Sequence, residues 1–431
     1  MREQLVAALP WLGVAGAAVV IAVGLAIKAA TGGLGLPLPP FLMYPGARVN
    51  VLVIVTVVSL AGALGVAPAI VQRLRSPPLT AAALFGLALF AGLTLNLARD
   101  GVRGWWEVFA TGRGGTLEGL YEYLPGLPTL AHGIPSFLAH FSADFRYFPL
   151  HVEGNPPGPL IALHLLAIHT AGAMAALCIG LGALTAPLAY DLGRVLGGEQ
   201  RGRIAGLLTA FSPAILLFGV TSADYAFAGL GMLVACLLVR RSTWALIAGG
   251  CAAALATFFS WLLFAIPAWA ALVVLQRDGW RAAARVSLAA GAGVIAFNAA
   301  LAVAYGYDPF SALSATSVEY SSLATSTTRT YAYYLFGAPT AWTVMLGLPT
   351  MWFGLRALGA RDVAAVAVAA LIVAASLLGF TRGETERIWL PFTPLACVAA
   401  AAVVPVGRLR PPLTIMAVQA LAIEVLFFTV W

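Results

Sequence analysis

Residues 50–71 read NVLVIVTVVSLAGALGVAPAIV, a stretch without one charged side chain and apolar on every face. At about 1.5 Å rise per residue such a stretch makes a helix about 33 Å long, enough to cross about 30 Å of hydrocarbon. Hydrocarbon offers the backbone no hydrogen-bond partners, so the block must satisfy its own amides as a helix. A β-barrel is excluded, because its segments are short and alternate polar with apolar residues.

Blocks of this kind recur along the chain. Thirteen spans are expected near 10–29, 50–71, 79–98, 172–192, 203–219, 225–239, 242–258, 260–275, 286–304, 338–355, 363–380, 390–406 and 412–430. The composition agrees: 61% of the 431 residues are hydrophobic and 10% are charged, against roughly 25% charged in a soluble domain. The expected fold is an all-α polytopic membrane protein. The stretch from Pro10 to Ile27 is too long for a signal-peptide core, and it follows a weak basic region, so it reads as an uncleaved first span.

Alternate connections are short and carry arginine: Arg73 and Arg75; Arg194, Arg201 and Arg203; Arg240 and Arg241; Arg277, Arg281 and Arg285; Arg356 and Arg361; Arg408 and Arg410. By the positive-inside rule these face the cytoplasm, and the N-terminus with them. Asp191, Glu199, Asp278 and Asp362 lie among these arginines, whereas the outer connections hold most of the remaining acids. The net charge of +7 is scattered and forms no patch for nucleic acid. Cys178, Cys236, Cys251 and Cys397 sit in apolar blocks without metal-ligand spacing, so neither a disulfide framework nor a metal site is expected. The abundance of Ala, Gly and Arg suits a bacterial genome rich in GC.

Chemistry is expected in three outer loops, since connections beyond about 15 residues are usually functional. The longest, 99–171, carries Asp100, then Tyr121-Glu122-Tyr123-Leu124-Pro125, then Asp144, then His151-Val152-Glu153-Gly154-Asn155-Pro156-Pro157-Gly158. An apolar segment at 159–169, interrupted by His164 and His169, is too short to span and suits an interfacial helix. The loop 305–337 holds Glu319-Tyr320, a Ser/Thr-rich run, and Arg329-Thr330-Tyr331. The third loop, 381–389, holds Arg382, Glu384, Glu386 and Arg387. Arginine there suits a phosphate, because its planar fork gives paired charge-assisted hydrogen bonds. The competing reading is interfacial arginine paired with Glu384 and Glu386. Asp224 is either an acid supporting a neighbouring residue or a helix N-cap. Glu424 lies in the last apolar block and reads as a protonated or interfacial acid.

These motifs together resemble the GT-C superfamily of integral-membrane glycosyltransferases, in particular an uncharacterised actinobacterial branch. Glu122 in Tyr-Glu-Tyr-Leu, the run Gly154-Asn155-Pro156-Pro157-Gly158, the interfacial helix 159–169 and the arginine cluster before the penultimate span carry the resemblance. Residues 1–78 would then be two additional helices, and 79–431 the GT-C-like core. The superfamily's paired acids after its first core helix are absent here, with Asp100 at that position.

The resemblance implies a sugar moved from a polyprenyl-phosphate donor to the hydroxyl of a glycan, glycolipid or protein, with inversion. Mannosyl and arabinosyl transfer fall within it. The reaction would occur on the outer side of the bacterial cytoplasmic membrane. Glu122 is the expected general base, with Asp144 and Asp100 as rivals. Arg387, Arg382 and Arg329 are expected on the donor phosphate. Tyr121, Tyr123, His151, Glu153, Asn155, Tyr331 and Glu386 are expected to bind substrate. A divalent metal is compatible but not required. The alternative from another class is a polytopic transporter or lipid flippase, which would place charged groups near broken helices.

Overall fold

Asn50 starts the quoted stretch as a helix: its side-chain oxygen accepts from the Leu52 amide at 2.9 Å, and Val51–Gln72 is helical. The computed structural model describes residues 2–112, 115–323 and 328–431. Ala324–Thr327, at the centre of the Ser/Thr-rich run, lie outside the described residues. Helix dominates what is described, and the strands there are Met43–Pro45 and Phe427–Thr429, paired antiparallel with Met43 opposite Thr429. The protein is all-α in class.

Six helices among the described residues are long and apolar enough to cross a membrane: Ala7–Thr31, Val51–Ile70, Pro77–Phe109, Ala171–Phe211, Trp261–Asp278 and Trp280–Tyr305. A seventh is the pair Leu348–Gly359 and Val363–Leu378, if that pair, bent by 107°, is one span. The other expected spans fall on shorter or broken helices, for a local reason in each case. The expected span 338–355 is divided between Tyr331–Met345 and Leu348–Gly359. The break is Gly347 at φ +98°, where a Cβ would lie 2.8 Å from Met416 and 2.9 Å from Pro213. Ser212 and Pro213 interrupt 203–219. Ser260, extended at φ −154° and ψ 135°, separates Thr243–Phe259 from the turn Trp261–Phe264.

Two of these helices show what surrounds them. Trp11, Leu12 and Val19 are each more than 60% exposed, and Val303 is 91% exposed. Apolar helices left bare on nearly all sides are stable against hydrocarbon, not water.

The chain divides into two compact units. The first comprises Met1–Gly104, Cys178–Met232 and Thr328–Val430. In it Pro77–Asp100 packs between Val51–Gln72 and Thr185–Phe211. Arg201 and Arg203, expected as exposed loop charges, are buried there. The Arg201 fork makes two 2.8 Å bonds to Asp362 and one at 3.1 Å to the Val398 carbonyl. Arg203 holds Glu199 at 2.7 Å and the Ile70 carbonyl at 3.0 Å. Asp362 also caps Val363–Leu378 through the Ala364 and Ala365 amides. Glu424 is fully buried 3.2 Å from Arg99 and 3.4 Å from Arg48, so a buried ion cluster replaces the expected interfacial acid. Removing one partner of a buried pair strands the other charge, at a cost of about 3–5 kcal/mol. Arg201→Ala is therefore expected to lower the unfolding midpoint by several degrees in a thermal-shift assay, with Asp362→Asn restoring part of the loss in the double variant.

The second unit comprises Trp105–Leu177 and Leu233–Thr327, with Trp431. Thr243–Phe259 and Trp280–Tyr305 approach through glycine: a Cβ on Gly293 would lie 2.3 Å from the Gly250 carbonyl oxygen. Small residues at such a crossing let two backbones touch. The segment Phe141–Phe148 of this unit is anchored by aromatic rings. Phe141 stacks on Phe148 at 5.2 Å and meets Tyr307 edge-on at 6.3 Å, and Tyr307 meets Phe258 at 6.0 Å. The segment 159–169, expected as an interfacial helix, is helical over Gly158–Leu165. Gly158 is required at its start, because a Cβ would lie 2.3 Å from the Phe258 carbonyl oxygen.

Candidate functional site

Two clusters of chemistry emerge, one in each unit. In the second unit, Thr116 caps the short helix Leu117–Tyr121, its Oγ1 accepting from the Gly119 amide at 3.2 Å. The backbone then turns extended at Glu122 (φ −75°, ψ 179°), and Pro125 opens the 3-10 segment Leu124–Leu130. Pro149 leads into the single turn Leu150–Glu153, which carries His151. His151 Nδ1 lies 3.2 Å from Glu122 Oε1. Asn155 fixes this arrangement, donating at 3.0 Å to the Tyr123 hydroxyl and at 3.1 Å to the His151 carbonyl. Trp431 covers the imidazole, with ring centroids 4.8 Å apart and planes inclined at 38°.

Glu122 is 0% exposed. Neither of its carboxylate oxygens has a hydrogen-bond partner among the described residues. His151 is near enough for an ion pair. Burying an unsatisfied polar group costs several kcal/mol as a rule. Glu122 is therefore a candidate for chemistry, set beside a histidine, a tyrosine and an indole.

The rival acids are placed differently. Asp144 is exposed at the start of the turn Phe145–Tyr147. Asp100 is more than half exposed and lies 3.9 Å from Arg103 at the end of its helix. Tyr121 is exposed at 38%. Glu153 is half-buried, and its pKa is raised to about 7, first by burial and then by the charge of Glu319. Thr316 ties the Glu319 helix to this turn through a 3.0 Å bond to the Glu153 carbonyl. A carboxyl raised in the folded state contributes stability below its unfolded pKa, and that contribution is lost as pH rises through the folded one. The unfolding temperature is therefore expected to fall as pH increases from about 5 to about 8, and Glu153→Gln should flatten that slope in a melting series.

The first unit holds the arginine cluster. Gly379 at φ +62° ends Val363–Leu378, and Gly383 (φ +90°) and Glu384 (φ +59°) reverse the chain into the turn Thr385–Ile388. A positive φ at a glutamate is strained, and its side chain explains why the position is held. Glu384 receives Arg329 at 3.1 Å on one oxygen and Arg387 at 3.2 Å on the other. Arg387 also binds Asp224 at 2.7 Å, and Asp224 in turn accepts from Ser222 at 2.8 Å. Burial pushes the Glu384 carboxyl up, but Arg387 and Arg329 outweigh it and hold it below the ordinary carboxylate range. Glu386 faces away, accepting from the Leu42 amide at 2.6 Å, and burial raises its pKa to about 7.

Arg329 and Arg387 are 8% and 6% exposed and are already opposed by Glu384 and Asp224. The expected pairing of these arginines with acid is therefore seen at Glu384 and not at Glu386. Arg382 is the most exposed of the three arginines, donating to the Gly379 carbonyl at 3.3 Å and lying 5.5 Å over the Tyr331 ring. Tyr331 is itself 39% exposed and bonds the Leu377 carbonyl at 2.7 Å.

The pairing of Glu122 with His151 and the cover from Trp431 were not legible in the sequence. Trp431 gave no signal at all, because nothing local connects the last residue to the first outer loop. Among the described residues no group of three or more His, Cys, Asp and Glu side chains could hold a metal ion. No protein-family model matches the chain, and no curated protein matches it either.

Proposed function

We propose that this protein is a membrane glycosyltransferase of the GT-C kind, moving a sugar from a polyprenyl-phosphate carrier to an acceptor hydroxyl with inversion. The reading places thirteen spans in the bacterial cytoplasmic membrane, the N-terminus inside and the reacting groups outside. The observation that carries it is Glu122, a buried carboxylate with both oxygens unsatisfied, set against His151 in the first long outer loop.

Such a pair suits removal of a proton from a hydroxyl, because the carboxylate stabilises the cation that forms on the imidazole. The acceptor oxygen then bonds to the anomeric carbon as that carbon's bond to the phosphate oxygen breaks. The leaving group is a lipid phosphate, whose charge a guanidinium can hold without a metal. Of the three arginines expected on a lipid phosphate, Arg382 is the most exposed. Arg329 and Arg387 brace the loop that presents it, through Glu384 and the Arg382 carbonyl.

The transporter reading draws on one observation, the buried Arg201–Asp362 pair at the 107° bend. One experiment separates the two. Purified protein in proteoliposomes is given polyprenyl-phosphate mannose or arabinose, labelled in the sugar, with a glycan acceptor. The glycosyltransferase reading expects labelled glycan and released polyprenyl phosphate. Movement of intact labelled lipid between leaflets, without transfer, would support the transporter instead.

A further inference from the structure

We infer that His151, rather than Glu122, is the group that meets the acceptor hydroxyl, and that Glu122 and Trp431 are positioning residues for its ring. This rests on the glycosyl-transfer reading of the same loop. A base must touch the proton it removes. Glu122 is closed off completely, whereas the His151 side chain is 13% exposed, so the imidazole is the member of the pair that substrate reaches.

The ring's orientation fixes the division of labour. Nδ1 faces the carboxylate at 3.2 Å, so the tautomer that carries its proton there is favoured and the lone pair is left on Nε2. This is the logic of a buried acid behind a histidine: the acid sets tautomer and orientation and stabilises the imidazolium, without taking the proton itself. The 3.2 Å contact becomes charge-assisted once the ring is protonated, so it strengthens as the reaction proceeds. Trp431, 5% exposed and 4.8 Å from the ring, packs on the imidazole and restricts its rotation. Asn155 holds the His151 carbonyl, so the backbone beneath the ring is fixed as well.

The step balances as follows. The acceptor O–H bond breaks and its proton passes to Nε2. The oxygen's electron pair forms the bond to the anomeric carbon, and the electron pair of the carbon–oxygen bond leaves with the lipid phosphate. The imidazolium later gives its proton to water.

The test combines transfer kinetics with ¹⁵N spectra of histidine-labelled protein in nanodiscs, His151 being assigned by comparison with His151→Gln. His151→Ala is expected to lower kcat by on the order of 10²–10⁴-fold with little change in KM, and added imidazole should restore at least tenfold of it. Trp431→Phe should retain most activity, and Trp431→Ala should lose it through kcat. His151→Ala retaining near-native kcat while Glu122→Gln is inactive would overturn the proposal, leaving the carboxylate as the base. If the wild-type protein transfers no sugar, the glycosyltransferase reading fails, and the spectra judge the pair separately. An Nδ1–H tautomer at His151 that is lost in Glu122→Gln upholds the pairing, and an Nε2–H tautomer in the wild type refutes it.

Discussion

Glu122→Gln is expected to reduce sugar transfer by on the order of 10²–10⁴-fold, the largest effect on activity of any single substitution outside His151. The amide is nearly isosteric and fits a fully buried position, so the protein should fold and melt close to the wild type. What changes is the electrostatics around the imidazole. A neutral amide cannot stabilise an imidazolium, and its NH₂ group can present a donor to Nδ1, reversing the tautomer. Removing the charge should also relieve the cost of burying an unsatisfied carboxylate. A variant slightly more stable than the wild type and nearly inactive is the combined outcome expected. Initial rates and a melting curve on the same preparation check it, and equal activity in the two proteins would remove Glu122 from the chemistry.

Arg387→Ala is expected to have the largest effect on stability, a loss of about 3–5 kcal/mol. The side chain is 8% exposed and holds two acids, Asp224 at 2.7 Å and Glu384 at 3.2 Å. Its loss takes the guanidinium at 2.7 Å from Asp224 and leaves Glu384 with Arg329. Glu384 adds a pH signature. Its carboxyl is held below the ordinary range by Arg387 and Arg329 against the opposing effect of burial. A depressed carboxyl contributes stability above its unfolded pKa and loses it as pH falls through the folded one. The wild type should therefore destabilise as pH drops below the ordinary carboxylate range, and Arg387→Ala should show less of that dependence. Denaturation in mild detergent at several pH values measures both. Adding Asp224→Asn should recover part of the loss, because it removes a buried acid that Arg387 had balanced.

The sequence located helices well wherever apolar character alone decides them. The block 50–71 became Val51–Gln72, and 363–380 became Val363–Leu378. It was less informative about where long apolar blocks break. The break at Ser260 falls where the spans 242–258 and 260–275 were divided, but Gly347 is unremarkable in a chain with 45 glycines, and only its packing shows why the backbone leaves the helix there. Charges were the harder part. Arg201 and Arg203 read as cytoplasmic loop residues, because a sequence does not reveal that Asp362 lies within 2.8 Å of Arg201. Arg329 and Arg387 read as phosphate ligands, because Glu384 was visible as a neighbour but not as the carboxylate between them. Within residues 99–171, Glu122, His151, Tyr123 and Asn155 were each marked by residue type. Their convergence, and the indole laid over the imidazole, depend on chain reversals at Glu122 and Pro149 and on a residue from the other end of the chain.

The central claim is chemical: a sugar leaves a polyprenyl phosphate and bonds to an acceptor through the Glu122–His151 pair. Its most direct test is the anomeric configuration of the product formed by wild-type protein from a polyprenyl-phosphate sugar of known configuration, read by NMR alongside the amount of polyprenyl phosphate released. Inverted product in equal amount to released lipid, and neither in Glu122→Gln, is the expected result. Retained configuration, or product formed equally well by Glu122→Gln, would contradict it.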